Sequence, residues 1–361
     1  MGFAFQTLTS KVFRMRKFAL RLACLFAIGA LTLSACSSDD NGNGSDDAAA
    51  SSSAASPISM ENCGEEITVD APPQKIVSLY QSSTEILLSL GAEDRMVGTS
   101  TWFDPVLPEL EEANSKVPRI AENFPSFEAV LDTDPDFVVS SITSIFGEGG
   151  VATREQFSEL GVPTYISPTD CVGKVANDGD GYRNEPYTLD MLYREITELS
   201  DILGLEDEGA ELIDDLEART GEAESMKVDG DVTAMYWFAG DRTPYMAGCC
   251  GAPGLISSTL GVKNVFDDSK EDWPEVSWES VAEKNPDVIV LADLARDRMP
   301  LESAQEKIDY LEGNPVTKEL DAVKNKRYIT MSGQSLDPSI RNVYELPRFH
   351  SELAELGLAE K

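Results

Sequence analysis

The chain has 361 residues, of which 29 are Lys or Arg and 64 are Asp or Glu, so its formal net charge is −35. So acidic a surface repels phosphate backbones, which excludes nucleic-acid binding as the main function. His350 is the single histidine, which excludes multi-histidine zinc sites and most histidine-based hydrolase triads. The length and the 42% hydrophobic content predict a globular chain of about two domains.

The N-terminus is typical of an exported lipoprotein. Five basic residues precede an apolar stretch from Leu22 to Leu33, which is short for a membrane span of about 20 residues. The segment Leu33-Ser34-Ala35-Cys36 resembles the lipobox of bacterial lipoproteins. We therefore predict lipidation of Cys36 and a location at the extracytoplasmic face of the cell membrane. A short transmembrane anchor is the alternative.

Outside the cytosol, four cysteines of the chain's body can oxidise, and four cysteines allow three pairings. We favour a disulfide between Cys63 and Cys171, because the adjacent Cys249 and Cys250 can pair with each other only through a strained ring. The state of Cys249 and Cys250 stays open.

Strands alternate with helices after residue 59. The run Ile76 to Tyr80 predicts a strand, followed by a helix that Ser83 caps and Gly91 ends. Further strands are predicted at 137–140 and 164–167, with a helix over 154–160 between them. This order is typical of an α/β lobe with a parallel sheet.

The second half repeats the first weakly. Ser126-Phe127-Glu128-Ala129-Val130 leads to a strand starting at Pro135-Asp136, and Ser277-Trp278-Glu279-Ser280-Val281 leads to one starting at Pro286-Asp287. Every matched position is offset by 151 residues. The repeat predicts two doubly wound, Rossmann-like lobes with a ligand cleft between them.

Between the lobes, apolar residues at helical spacing predict one long helix over 188–221, with a possible bend at Gly204. A continuous helix would reach roughly 50 Å and cross from lobe to lobe. The chain thus divides into a signal peptide (1–35), a flexible Ser/Asp/Gly-rich tether (36–58), an N-terminal lobe (59–187), the interlobe helix (188–221) and a C-terminal lobe (222–361).

Together these residues resemble a known family, the substrate-binding lipoproteins of ABC importers for ferric siderophores, cobalamin and haem. The resemblance covers about residues 63–357. It depends on the runs 74–79 and 84–91, both Pro-Asp strand starts, the interlobe helix and the lipobox, in that family's order.

The resemblance implies a monomeric, membrane-anchored receptor that captures a small-molecule ligand and delivers it to a permease dimer with its ATPase. The expected ligand is a ferric siderophore or another metal chelate, with no intrinsic cofactor or metal and no catalytic residues. In this family one surface glutamate on each lobe docks into arginine pockets of the permease, and Glu128 and Glu279 fall at those positions. From the residues alone, both glutamates equally suit the first turn of a helix, where a carboxylate meets the helix dipole favourably.

Ligand contacts in open α/β lobes come from loops at the carboxyl ends of strands. Residues at such positions, together with nearby aromatic and cationic residues, are our candidates: Tyr80, Trp102, Ser141, Tyr236, Trp237, Arg242, Tyr245, Trp273, Arg296 and Arg341. For Trp273, the family's cobalamin binders also present a tryptophan there. Any one aromatic could equally belong to the core. If two or more arginines converge on the cleft, an anionic ligand is expected.

Other functions compete with the receptor. A receptor for an anionic cofactor precursor of deazaflavin type is one alternative. An exported carboxylate-based hydrolase is another, although the chain lacks GxSxG, P-loop and SxxK motifs. A third is an anchored adhesion or signalling module, which a narrow or empty cleft would favour.

Overall fold

The computed structural model describes residues 57–147, 149–175, 181–228, 231–296 and 298–360. The predicted signal peptide, the lipidated Cys36 and nearly all of the tether lie outside the described residues. No helix within the described ranges is long and apolar enough to cross a membrane.

The N-terminal lobe contains a four-stranded parallel sheet in the order β4-β3-β5-β6. Two antiparallel pairs, β1 with β2 and β7 with β8, lie outside that sheet. The strands of this lobe are β1 (Ile58–Asn62), β2 (Glu65–Val69), β3 (Ile76–Ser78), β4 (Met96–Thr99), β5 (Phe137–Ser140), β6 (Thr164–Ile166), β7 (Lys174–Val175) and β8 (Tyr182–Arg183). Its helices are α1 (Gln81–Ser89), α2 (Glu111–Asn114), α3 (Phe127–Leu131), α4 (Arg154–Glu159), α5 (Pro168–Cys171) and α6 (Leu189–Leu203).

The C-terminal lobe repeats this arrangement. Its strands are β9 (Thr233–Ala239), β10 (Tyr245–Met246), β11 (Lys263–Asn264), β12 (Val288–Asp293) and β13 (Tyr328–Ser332). The parallel strands run in the order β11-β9-β12-β13, and β10 pairs antiparallel with β9. The helices are α7 (Glu206–Ser225), which joins the lobes, α8 (Ala252–Leu260), α9 (Trp278–Lys284), α10 (Ala304–Gly313), α11 (Asp321–Lys324) and α12 (Arg341–Glu355). The expected α/β class with two lobes is confirmed.

The Pro-Asp repeat has a structural reason. Asp136, which precedes β5, accepts hydrogen bonds from the backbone N–H groups of Gln74 and Lys75, both at 2.8 Å. At the equivalent place before β12, Asp287 accepts from the N–H of Thr233 at 2.9 Å. Each aspartate thus fixes the start of the neighbouring strand, β3 or β9, and sets the register of its lobe's sheet.

Each sheet is covered on both faces. On β5, Phe137 and Val139 belong to one apolar cluster and Val138 belongs to another, because successive side chains point to opposite faces of a sheet. On β9, Tyr236 and Trp237 divide in the same way between two clusters. Because nearly every side chain of such a central strand is buried, its sequence is a continuous run of apolar residues.

The helix predicted over 188–221 is divided into two helices at Gly204, the residue at which a bend was predicted. The first helix, α6, ends at Gly204, which adopts the left-handed conformation with φ of 64°, and α7 begins at Glu206. The two helices pack against each other so closely that a Cβ on Gly209 would lie 2.3 Å from the Ser200 Oγ. Only α7, at about 30 Å for its 20 residues, spans from α6 to the C-terminal lobe.

A second connection between the lobes is a buried ion pair. Arg341 Nε, on α12, donates to Glu85 Oε2, on α1, at 2.8 Å, and Arg341 Nη2 donates to Glu85 Oε1. Arg341 also donates to the Pro105 carbonyl at 2.7 Å. Glu85 is fully buried and Arg341 is 6% exposed. Ile340, the N-cap of α12, and Val343 within it lie in the same apolar cluster as the α1 side chains.

We predict that Glu85→Gln lowers the free energy of unfolding by about 3–5 kcal/mol, because it leaves the Arg341 guanidinium buried without its counter-charge. The double variant Glu85→Met with Arg341→Met should lose less than the sum of the two single variants. Urea denaturation measures these differences. The exposed pair of Lys75 with Asp134 supplies the control, and Asp134→Asn should have little effect. Equal losses for Glu85→Gln and Asp134→Asn would refute a structural role for the buried pair.

A second buried carboxyl predicts how stability depends on pH. Burial raises the pKa of Glu195 on α6 to about 8 from 4.5, and Ser167 Oγ donates to its Oε2 at 2.5 Å. The folded state therefore binds a proton between pH 4.5 and about 8 that the unfolded state releases. The stability that protonated Glu195 contributes is fully present below pH 4.5 and is lost as the pH rises from there to about 8.

Glu195→Gln should remove that pH dependence while its amide oxygen still accepts from Ser167. In urea denaturation between pH 5 and pH 9, the parent protein should lose stability relative to Glu195→Gln as the pH rises. Glu159→Gln, an exposed change of the same charge, is the control and should follow the parent. Parallel pH profiles for all three proteins would contradict the raised pKa.

Candidate functional site: the interlobe cavity

A cavity of about 1310 Å³ lies between the lobes. Residues following β3, β5, β12 and β13 line it, so the carboxyl ends of parallel strands from both lobes meet there. This placement follows the rule for open α/β sheets, in which strands of one direction end at one edge of the sheet. The volume exceeds the roughly 300–1,000 Å³ of pockets for drug-sized ligands, which indicates a bulky ligand.

Aromatic side chains of both lobes form part of the wall. The Phe238 and Trp273 rings lie 4.8 Å apart on the C-terminal lobe, and Phe103 with Tyr80 at 5.2 Å lies on the N-terminal lobe. The Arg296 guanidinium lies 4.7 Å from the Phe103 ring centroid and 5.4 Å from that of Phe238. Such rings offer flat apolar surface for ligand stacking.

Tyr80 joins this wall to the opposite lobe. Its hydroxyl donates to Asp337 Oδ2 at 3.0 Å. Burial raises the pKa of the Tyr80 phenol well above its usual value, and the Asp337 charge raises it further. The phenol is therefore a permanent hydrogen-bond donor at neutral pH.

Charged side chains at the other side of the cavity bridge the lobes. Asp272 of the C-terminal lobe accepts from Arg183 Nε at 2.8 Å and pairs with Lys174 Nζ at 3.2 Å. Lys174 also pairs with Asp170 at 2.6 Å. The backbone continues the connection, because the Asp272 N–H donates to the Gly181 carbonyl at 3.1 Å. This network closes one side of the cavity.

Serine hydroxyls contribute a third type of lining. Ser83 Oγ and Ser141 Oγ form a hydrogen bond to each other. The Ser82 Oγ, in the first turn of α1, is buried and has no hydrogen-bond partner among the described residues. A buried hydroxyl without a partner is costly, so it is a candidate contact for a ligand.

Five of the ten predicted ligand residues line this cavity: Tyr80, Ser141, Tyr245, Trp273 and Arg296. They come from both lobes, and the structure brings them together around one space. Arg296 is not a free cation, since its Nε donates to Glu302 Oε1 at 2.9 Å.

The other five predicted residues do not line this cavity, and aromatic packing accounts for three of them. Trp102 is 4% exposed and lies in the core beneath Arg119, whose guanidinium is 4.3 Å from the ring. Tyr236 stacks on Phe349 and shares a hydrogen bond with Ser257. Trp237 packs edge-on against Trp278, with its Nε1 donating to the Ala239 carbonyl at 3.1 Å.

Two predicted arginines also lie elsewhere. Arg341 is held in the ion pair with Glu85 and does not line the cavity. Arg242 is exposed and likewise outside the lining. Of the three predicted arginines, Arg296 therefore lines the cavity alone. A second arginine, Arg183, also lines it, but each of these two guanidinium groups is already paired with a carboxylate of the protein.

Sequence reasoning missed several lining residues, namely Lys174, Arg183, Phe238, Met299 and Asp337. Phe238 directly follows the predicted Trp237, so the predicted region was right and the residue was off by one. Lys174 and Arg183 lie around the short β7–β8 pair, for which the sequence carries no periodic signal.

The four cysteines of the described residues are joined in two pairs. Cys63, between β1 and β2, is bonded to Cys171 at the end of α5, with their Cα atoms 5.7 Å apart. Cys249 and Cys250 are bonded to each other in the loop before α8. The Cys250 carbonyl accepts from the Tyr187 N–H at 2.8 Å, so this loop also contacts the N-terminal lobe.

The comparisons with known proteins agree with this geometry. The sequence model of the family described as periplasmic binding protein matches residues 76–334, which is more than half of the chain. This chain belongs to the periplasmic binding protein family. The resemblance inferred from the sequence is thereby confirmed.

Three relatives illustrate the similarity of this binding protein to others. The uncharacterized ABC transporter substrate-binding lipoprotein YvrC of Bacillus subtilis is 23% identical over 301 residues, covering 80% of this chain and 85% of that protein. The vitamin B12-binding protein of Yersinia pestis is 22% identical over 222 residues, covering 61% and 69%. The crystal structure of an ABC-type Fe3+-hydroxamate transport system from Saccharomonospora viridis has a TM-score of 0.68 and 25% identity, covering 82% and 99%.

Glu128 and Glu279 occupy equivalent places on the surface of this binding protein. Ser126 Oγ caps α3 by accepting from the Ala129 N–H at 3.2 Å, and Ser277 Oγ caps α9 by accepting from the Ser280 N–H at 3.1 Å. The serines therefore perform the capping, and both glutamate side chains are exposed. Within the described ranges neither glutamate forms an ion pair.

Proposed function

We propose that this binding protein is the lipid-anchored, extracytoplasmic receptor of an ABC importer and that it captures a metal chelate between its lobes. The observation that carries the proposal is the interlobe cavity of about 1310 Å³, with aromatic walls from both lobes. The receptor would then deliver the ligand to a permease dimer driven by its ATPase. No catalytic role is proposed.

Chelates of the ferric hydroxamate or cobalamin type are the favoured ligands. One relative is named for Fe3+-hydroxamate transport and another for vitamin B12 binding. Both ligands are bulky and present apolar surface, which suits the walls formed by Phe103, Phe238 and Trp273. Haem and an anionic deazaflavin-type precursor are less favoured, because Arg183 and Arg296, the two arginines that line the described part of the cavity, are each already paired with a carboxylate of the protein.

The lipid anchor is proposed from Leu33-Ser34-Ala35-Cys36, and the Bacillus relative is itself named a lipoprotein. Mass spectrometry of the mature N-terminus should show diacylglyceryl on Cys36. Cys36→Ala should release the protein or leave the leader attached. An unmodified mature chain that starts at another residue would disprove the anchor.

Permease docking through Glu128 and Glu279 is supported by their exposure at equivalent positions of the two lobes. A charge-assisted hydrogen bond to a permease arginine is worth roughly 1.5–3 kcal/mol. We predict that Glu128→Gln with Glu279→Gln abolishes most uptake in cells while the ligand affinity and melting temperature of the purified protein change little.

The chain offers a matched control for this experiment. Glu155 is also exposed and also lies two residues after an N-cap, that of α4, so Glu155→Gln removes the same helix-dipole interaction without touching a docking position. Uptake should stay normal in this control. Normal uptake in the double variant would eliminate the docking role, and lost ligand affinity would place the two glutamates at the ligand instead.

A further inference from the structure

The lining of the interlobe cavity is acidic. Among the described residues, five carboxylates and three cations line it. The carboxylates are Asp170, Glu271, Asp272, Glu275 and Asp337, and the cations are Lys174, Arg183 and Arg296. A cavity lined by one excess sign of charge concentrates ligands of the opposite sign.

Each of the three cations is already paired with an acid of the protein. Arg183 and Lys174 share Asp272, and Lys174 also pairs with Asp170. Arg296 pairs with Glu302, which is 2% exposed. An anionic ligand would therefore have to compete with buried carboxylates for every one of these cations.

The two exposed carboxylates flank an aromatic ring. Glu271 and Glu275 lie on the segment that carries Trp273, and all three residues line the cavity. Glu275 accepts a hydrogen bond from the Tyr245 hydroxyl at 2.8 Å, and Glu271 forms no ion pair within the described ranges. An aromatic face beside carboxylates is a favourable environment for an ammonium group.

Ser82 is an independent sign of a ligand in the same space. It lines the cavity at 2% exposure, and its Oγ has no hydrogen-bond partner in the described structure. Buried hydroxyls normally have a partner, so this one indicates a polar ligand atom on the N-terminal lobe, across from the acidic segment.

We infer that the cavity selects chelates bearing a free cationic group, which lies against Trp273 between Glu271 and Glu275, over anionic chelates. The inference rests on the proposed receptor function and adds the charge class of its ligand. It also explains why the cavity retains two exposed carboxylates, Glu271 and Glu275, that form no ion pair with any described residue.

The test uses one chelate scaffold in three charge states. A linear ferric trihydroxamate with a terminal ammonium, its neutral N-acetyl derivative and its anionic N-succinyl derivative share the same iron centre. Tryptophan fluorescence titration of the purified protein gives the three dissociation constants, since Trp273 lies in the cavity. We expect the ammonium form to bind at least about fivefold more tightly than the succinyl form, with a larger ratio at low salt.

Variants connect the preference to the named residues. Glu271→Gln with Glu275→Gln should bring the ratio of the two dissociation constants close to one. Glu283→Gln, an exposed change of the same charge outside the cavity, should leave the ratio unchanged. Tighter binding of the succinyl form, or a ratio that the double variant does not alter, would overturn the inference.

Failure of the inference and failure of the proposed function give different results. If trihydroxamates do not bind, the same comparison is made between aquocobalamin, which is cationic, and a carboxylate derivative of cobalamin. Binding of either scaffold with preference for the anionic form rejects the charge class and keeps the receptor. Absence of binding to both scaffolds in every charge state rejects the receptor and the inference together.

Discussion

The ion pair between Glu85 and Arg341 determines how the two lobes stand relative to each other. Its members come from α1 and α12, 256 positions apart in the chain, and both are almost completely buried. Separating the lobes would break the pair and leave each charge without its partner. Because an unpaired buried charge is strongly unfavourable, the pair opposes that separation. The ion pair and α7 together form the structural base of the two lobes, the side on which they are joined, and this base resists hinge opening.

The cavity depends on that base. Contacts between the lobes surround it, including the Tyr80 hydroxyl on Asp337 and Arg183 on Asp272. A space that is held open before ligand arrives costs less conformational entropy on binding than one formed by closure of hinged domains. Pairing with carboxylates of the protein also explains why the arginines near the cavity are not free to bind an anionic ligand. In a chain with 64 Asp or Glu and 29 Lys or Arg, the arginines Arg183, Arg296 and Arg341 are each paired with a carboxylate of the protein.

Local signals in the sequence predicted the features that depend on neighbouring residues. The strand β5, the capping serines Ser126 and Ser277, and the aspartates Asp136 and Asp287 follow from short patterns repeated at one offset. The loops at the strand ends were correctly expected to line the cleft, because that rule depends only on strand direction.

Features that depend on distant partners could not be predicted. Nothing near Arg341 in the sequence indicates that Glu85 will neutralise it, so it had the appearance of a free cation. Gly204 suggested a bend, whereas the reversal of α7 against α6 requires the close contact of Gly209 with Ser200. Tyr236 and Trp237 follow a strand pattern that does not distinguish a core face from a cleft.

The most direct test of the account is a crystal structure of the protein with a ferric chelate, in which the anomalous signal of iron locates the metal. We expect one iron peak inside the interlobe cavity, within a chelate's radius of Tyr80, Phe238 and Trp273, with the Glu85–Arg341 pair intact. An iron peak on the outer surface, or a complex in which that pair has separated, would contradict it.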